Sequence, residues 1–125
     1  MARQMYQTIA ATDLSASAAA TETIKAPFAG VLRIDESYMR AGEVVGSATT
    51  AATVYVTVGG TTVATATPSS TTLDTIGDTQ GLTASSDKYI EFSAGDSIVV
   101  GHGVQAAGGT TTGTVYWHLS LEWGV

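Results

Sequence analysis

Apolar and polar residues alternate with a period of two along most of this chain, the spacing of strands that bury one face. The pattern is fullest near the end, where Val115, Trp117, Leu119, Leu121 and Trp123 share one face and Tyr116, His118, Ser120 and Glu122 the other. Five large apolar groups on one side predict a principal core strand, each contributing roughly 1.5–3 kcal/mol when fully buried. Near the middle, Val54, Val56 and Val58 precede Gly59-Gly60, and Thr61, Thr62, Val63, Ala64 and Thr65 follow. Glycine tolerates the positive φ of a two-residue turn, so residues 53–67 predict a β-hairpin. With the turn at the glycine pair, Val58 faces Thr61, Val56 faces Val63 and Val54 faces Thr65. The valines then point to the core, and Tyr55, Thr57, Thr62 and Ala64 form the more polar face.

The other segments read in the same way. Residues 6–11 predict a short first strand, and 12–21 lack a strong period, so residues 1–20 form an N-terminal arm or short strand ahead of a β-sandwich domain over 21–125. Thr23, Ile24, Lys25 and Ala26 predict a second strand that Pro27 ends or pushes to an edge, since proline cannot donate to a ladder. Over 31–39, Leu32, Ile34 and Tyr38 fall on one side and Arg33, Asp35 and Ser37 on the other. Glu36 lands on the apolar side and predicts a bulge there. A loop spans 41–47. Residues 68–87 are long for a structureless connection and predict either a short edge strand near 73–76 or an exposed functional loop. A strand at 88–92, a turn at 93–96, a continuous apolar strand at 97–100 buried on both sides, and a glycine-rich stretch at 101–113 complete the chain. About eight strands with almost no helix predict an all-β fold: an antiparallel β-sandwich, jelly-roll-like in its strand number and its long connection.

Composition narrows the function classes. The 125 residues contain no cysteine, which excludes disulfides and thiolate metal sites, and no asparagine, which excludes N-glycosylation. Charged residues make up 13% of the chain, about half the usual share, while Thr, Ala, Gly and Ser exceed half of it. The net charge is −6, and the five basic residues, Arg3, Lys25, Arg33, Arg40 and Lys88, are scattered. Binding a phosphate backbone needs a clustered positive field, so nucleic acid is not an expected partner. The N-terminal residues lack an apolar signal region, and no run approaches the ~20 apolar residues that span a bilayer, so neither secretion by that route nor membrane embedding is expected.

Candidate chemistry is sparse. Gly101-His102-Gly103-Val104-Gln105-Ala106 matches a loose dinucleotide fingerprint, but glycines and threonines follow it where a helix N-terminus is required. His102, His118 and Glu122 invite a metal reading of the cupin kind. His118 and Glu122 lie on one strand face about 13 Å apart, too far for one ion. Asp74, Asp78 and Asp87 lack the spacing of a calcium loop. The carboxylates of Asp35 and Glu36 point to opposite faces and do not flank a substrate. Trp117 and Trp123 suggest a sugar-stacking platform, but their apolar neighbours assign them to the core, with Trp123 also placed for a subunit contact. Tyr6, Tyr38, Tyr55 and Tyr116 are candidate interface aromatics, Tyr116 for a subunit contact. No enzyme activity and no cofactor are expected from this set.

The segment Ile24-Lys25-Ala26-Pro27-Phe28-Ala29-Gly30-Val31-Leu32-Arg33-Ile34, the Val54-Tyr55-Val56 strand with its glycine turn, Ala94-Gly95-Asp96-Ser97-Ile98-Val99-Val100 and the terminal Trp-containing strand together resemble small jelly-roll structural proteins of tailed bacteriophages. The chain looks most like the decoration, or cement, proteins of phage heads. The resemblance implies a homotrimer that sits on the capsid exterior after assembly in the host cytoplasm. Its partners would be itself and the major capsid protein, and the N-terminal arm, with Arg3, Met5, Tyr6 and Ile9, would be a place of capsid contact. The alternative is a carbohydrate- or receptor-binding jelly roll, such as a fibre tip or lectin-like module.

Overall fold

The computed structural model describes residues 3–14, 19–46, 53–69, 72–103 and 112–123, with side chains described for Thr12, Leu14 and the residues from 19 onward. The strands are β1 (Arg3–Asp13), β2 (Ala20–Lys25), β3 (Gly30–Ala41), β4 (Val54–Val58), β5 (Thr61–Ala66), β6 (Thr79–Gly81), β7 (Thr83–Ala84), β8 (Tyr89–Phe92), β9 (Ser97–His102) and β10 (Thr114–Trp123). They form two five-stranded antiparallel sheets. The first has the order β1-β10-β3-β6, with β8 also paired to β3, and the second has the order β2-β9-β4-β5-β7. With the two short strands β6 and β7 set aside, the first sheet takes the first, last, third and sixth of the remaining strands. The second takes the second, seventh, fourth and fifth. This is the interleaved order of a jelly roll, in which each sheet receives alternate excursions of the chain.

The core lies between the sheets. Leu32, Ile34, Met39, Val115, Trp117, Leu119 and Leu121 come from the first, and Val54, Val56, Val58, Ile98 and Val100 from the second. Leu14, Val45 and Leu73 join the core from connecting segments. Buried polar groups are matched within this core: the Trp117 indole Nε1–H donates to Thr12 Oγ1 at 2.8 Å.

The central hairpin forms with Gly59 and Gly60 at φ +58° and +86°, the geometry of a type I′ turn. Its register departs from the simple alternation after two pairs. Val58 faces Thr61 and Thr57 faces Thr62, but Val56 faces Ala64 and Val54 faces Ala66. Val63 is the extra residue of a bulge, so both Val63 and Ala64 are buried, and Ala64 belongs to the core rather than to the polar face. In β9, Ile98 and Val100 are buried while Val99 is half-buried, so this strand covers one face and not two. Residues 72–77 turn rather than extend. Leu73 is buried and Ile76 is 64% exposed, and the short strands of this region are β6 and β7 further on. Gly101 has φ +150°, and a Cβ there would strike the Ala20 carbonyl oxygen of β2, so the β2–β9 pairing requires glycine.

The bulge predicted at Glu36 is large. Arg33 pairs with Ser120 and Tyr38 with His118, so β3 advances five residues while β10 advances two. Ser37 fills the gap, its Oγ donating to the Arg33 carbonyl at 2.7 Å and accepting from the Ser120 N–H at 3.0 Å. The bulge inverts the phase of the strand. Leu32 and Ile34 point inward before it and Met39 and Ala41 after it, which turns Tyr38 outward, opposite to the side on which plain alternation places it. The same irregularity separates two neighbours of β3: residues 30–33 pair with β8 and residues 38–40 with β6.

Candidate interaction surface

The outer face of the first sheet collects most of the polar side chains that make specific contacts. Because of the bulge, Tyr38 and Arg40 of β3 face the same way as Tyr116 and His118 of β10. The Tyr38 and His118 rings stack with centroids 4.8 Å apart and planes 13° from parallel. Arg40 Nε–H donates to His118 Nε2 at 3.4 Å, and its guanidinium lies 5.1 Å from the centre of the Tyr116 ring. Tyr38, His118, Arg40 and Tyr116 thus form one row of four planar groups that alternates between the two strands. All four are half-buried. Gly42 leaves room for the Tyr116 ring, since a Cβ there would run into it. Burial, and then the Arg40 charge, hold the His118 imidazole below its ordinary pKa, which suits a ring that accepts from a cation. The row is flanked by small residues: Thr79 and Gly81 of β6 pair with Arg40 and Tyr38, and Thr8 and Ala11 of β1 stand at the register positions of His118 and Tyr116.

On the other side of the bulge, Arg33 binds Glu122 through Nη1 at 2.5 Å. Its Nε lies 2.7 Å from Glu36 Oε2 as an ion pair without hydrogen-bond alignment. The Tyr89 ring centre is 5.0 Å from the Arg33 guanidinium, and the Tyr89 hydroxyl is 3.5 Å from Asp35 Oδ2. The hydrogen bond to Glu122, then that to Tyr89, raise the Arg33 pKa above its ordinary value. Glu122 is therefore an ion-pair partner. A depression of about 310 Å³ lined by Val31, Arg33, Tyr89 and Glu122 adjoins one of about 430 Å³ lined in part by Val31, Glu91, Phe92 and Asp96. Trp123 packs edge-on against Phe92 at 5.4 Å and Phe28 at 6.3 Å, and Phe28 remains 65% exposed.

The sequence candidates are dispersed by the fold. His102 is buried in the second sheet with Nδ1 2.7 Å from the Gly103 carbonyl oxygen, whereas His118 and Glu122 lie on the first sheet in separate contacts. Among the described residues no group of three or more His, Asp or Glu side chains is placed to hold a metal ion. Asp78 accepts from the Thr75 N–H and closes a turn, and Asp74 and Asp87 are exposed. Residues 104–111 of the glycine-rich stretch lie outside the described residues. Arg3, Met5, Tyr6 and Ile9 belong to β1, but their side chains lie outside the description. Trp117 is buried, and Tyr116 and Trp123 are half-buried against Arg40 and the two phenylalanines. The alternation of β10 signalled a surface row, but its pairing with Arg40 depends on the β3 phase inversion. Searches against protein families, characterised proteins and solved structures each returned no match.

Proposed function

We propose that this chain is a non-enzymatic virion structural protein, a capsid decoration protein that stabilises a phage head by bridging capsid subunits, and that it works as a homotrimer. The observation that carries this reading is β1. It is 11 residues long and pairs with β10 along one side, and among the described residues no strand pairs with its other side. A long open edge is a template for further association, and proteins either blunt such edges or cover them in an assembly. The bulge between Thr8 and Ala11 is the only irregularity in its pairing with β10. The outer face beside it is rich in Tyr and Arg, residue types enriched in protein interfaces. The low charge and the cysteine-free, Thr/Ala/Gly/Ser-rich composition suit a protein assembled in many copies.

The test is co-sedimentation of the purified chain with expanded phage heads assembled from the cognate major capsid protein. Saturable binding and a higher melting temperature of the heads are expected; a chain that neither binds nor stabilises them refutes the reading. The depressions at Tyr89 and Phe92 favour a second reading, a glycan- or receptor-binding module, because Tyr89, 53% exposed, lines one and the carboxylates of Glu91 and Asp96 line the other. Binding on a glycan array that is lost in Tyr89→Ala would support it.

A further inference from the structure

Among the described residues, Arg40 is a half-buried cation without a counter-ion. Its Nε–H is spent on a neutral imidazole and its face rests on Tyr116, and among the described residues no carboxylate lies within ion-pair distance. Both ion pairs of the described residues belong to Arg33. This occurs in a chain with 11 acidic and five basic residues, where Glu43, Asp74, Asp87 and Glu91 are exposed and make no ion pair among the described residues. The contrast with Arg33, locked between Glu36 and Glu122, is plain: among the described residues one arginine is neutralised, and the other is oriented but not neutralised. The His118 hydrogen bond and the Tyr116 ring hold the guanidinium in place, and among the described residues its two terminal nitrogens remain a donor fork suited to bidentate capture of a carboxylate.

We propose that the row Tyr38–His118–Arg40–Tyr116 is the contact surface for a second copy of this chain, and that Arg40 receives a surface carboxylate of that copy. The inference rests on the self-association proposed above and names its surface. Charge complementarity selects the occupant: among its described residues each copy carries one oriented guanidinium outside any ion pair and several exposed carboxylates outside any ion pair. A contact between unlike patches is heterologous, the kind from which a cyclic trimer is built when its rotation closes. The small residues that flank the row let a neighbouring backbone approach it, and a Tyr/Arg cluster that a second copy would desolvate is the composition of a binding hot spot.

Sedimentation velocity over a range of concentrations tests this with the full-length chain, Arg40→Ala and Arg40→Lys, with circular dichroism and thermal melting to establish that each variant is folded. The wild type should sediment as a trimer, and Arg40→Ala should raise the concentration at half-assembly at least tenfold. Arg40→Lys should restore assembly only in part, because an ammonium gives a point charge without the planar fork. If Arg40→Ala does not fold, Tyr38→Ser and Tyr116→Leu address the same row and should weaken assembly. Unchanged assembly in the folded variants overturns the inference while leaving trimer formation intact. A monomeric wild type overturns both. An Arg40-dependent trimer that fails to bind heads sustains the inference and refutes the capsid reading.

Discussion

Removing one oxygen from the β3 bulge should destabilise the fold far more than a serine-to-alanine change in a strand ordinarily does. Ser37 is buried, and its hydroxyl bridges the Arg33 carbonyl at 2.7 Å and the Ser120 N–H at 3.0 Å, joining β3 to β10 where their ladder is interrupted. Ser37→Ala keeps the volume of the side chain's first carbon but strips a buried donor and a buried acceptor of this partner. An unsatisfied buried group costs about 1–3 kcal/mol, and a lost hydrogen bond whose partner keeps other options costs about 0.5–1.5 kcal/mol. The expected loss is therefore roughly 2–4 kcal/mol, a large part of the 5–15 kcal/mol that holds a typical domain. Urea denaturation of the wild type and Ser37→Ala, with Thr23→Ala on the exposed face of β2 as control, measures it directly. Amide exchange gives a second reading, because the Ser120 N–H should lose protection before its neighbours in β10. A loss below about 0.5 kcal/mol with Ser120 protection unchanged would refute the claim that Ser37 holds the bulge closed.

Three other outcomes follow from the same geometry. Trp117→Phe removes the indole donor to Thr12 Oγ1 and part of a fully buried ring, so a loss of roughly 2–4 kcal/mol is expected in urea unfolding. Gly60→Ala should cost about 1–2 kcal/mol for its left-handed φ alone, because nothing crowds the added methyl. Gly101→Ala adds a collision with the β2 backbone and should cost more than about 3 kcal/mol; equal losses would sink this ordering. For His118 the folded pKa lies below the ordinary 6.5, so on acidification the unfolded chain takes up the proton first. Stability should be full above about pH 6.5, fall as pH drops from there to the folded pKa, and level off below it. His118→Gln should flatten that slope, and identical pH profiles for the two proteins would refute it.

The amino-acid sequence determined the class of the fold because period-two alternation is a local property. The β10 core face, the Gly59-Gly60 turn, the turn at 93–96 and the irregularity at Glu36 all follow from residues within a few positions of one another. What alternation leaves open is phase and pairing. The bulge at Val63 sends Ala64 to the core and the bulge after Ile34 sends Tyr38 to the surface, and in each case the size of the bulge is set by the partner strand. Strand order, which makes this sandwich a jelly roll, is fixed by contacts between residues far apart in the chain, such as β1 with β10. The Arg40 row belongs to that second category. Tyr38, Arg40, Tyr116 and His118 are unremarkable in sequence, and only the inverted phase of β3 against β10 brings them into one row and leaves a guanidinium oriented but, among the described residues, outside any ion pair.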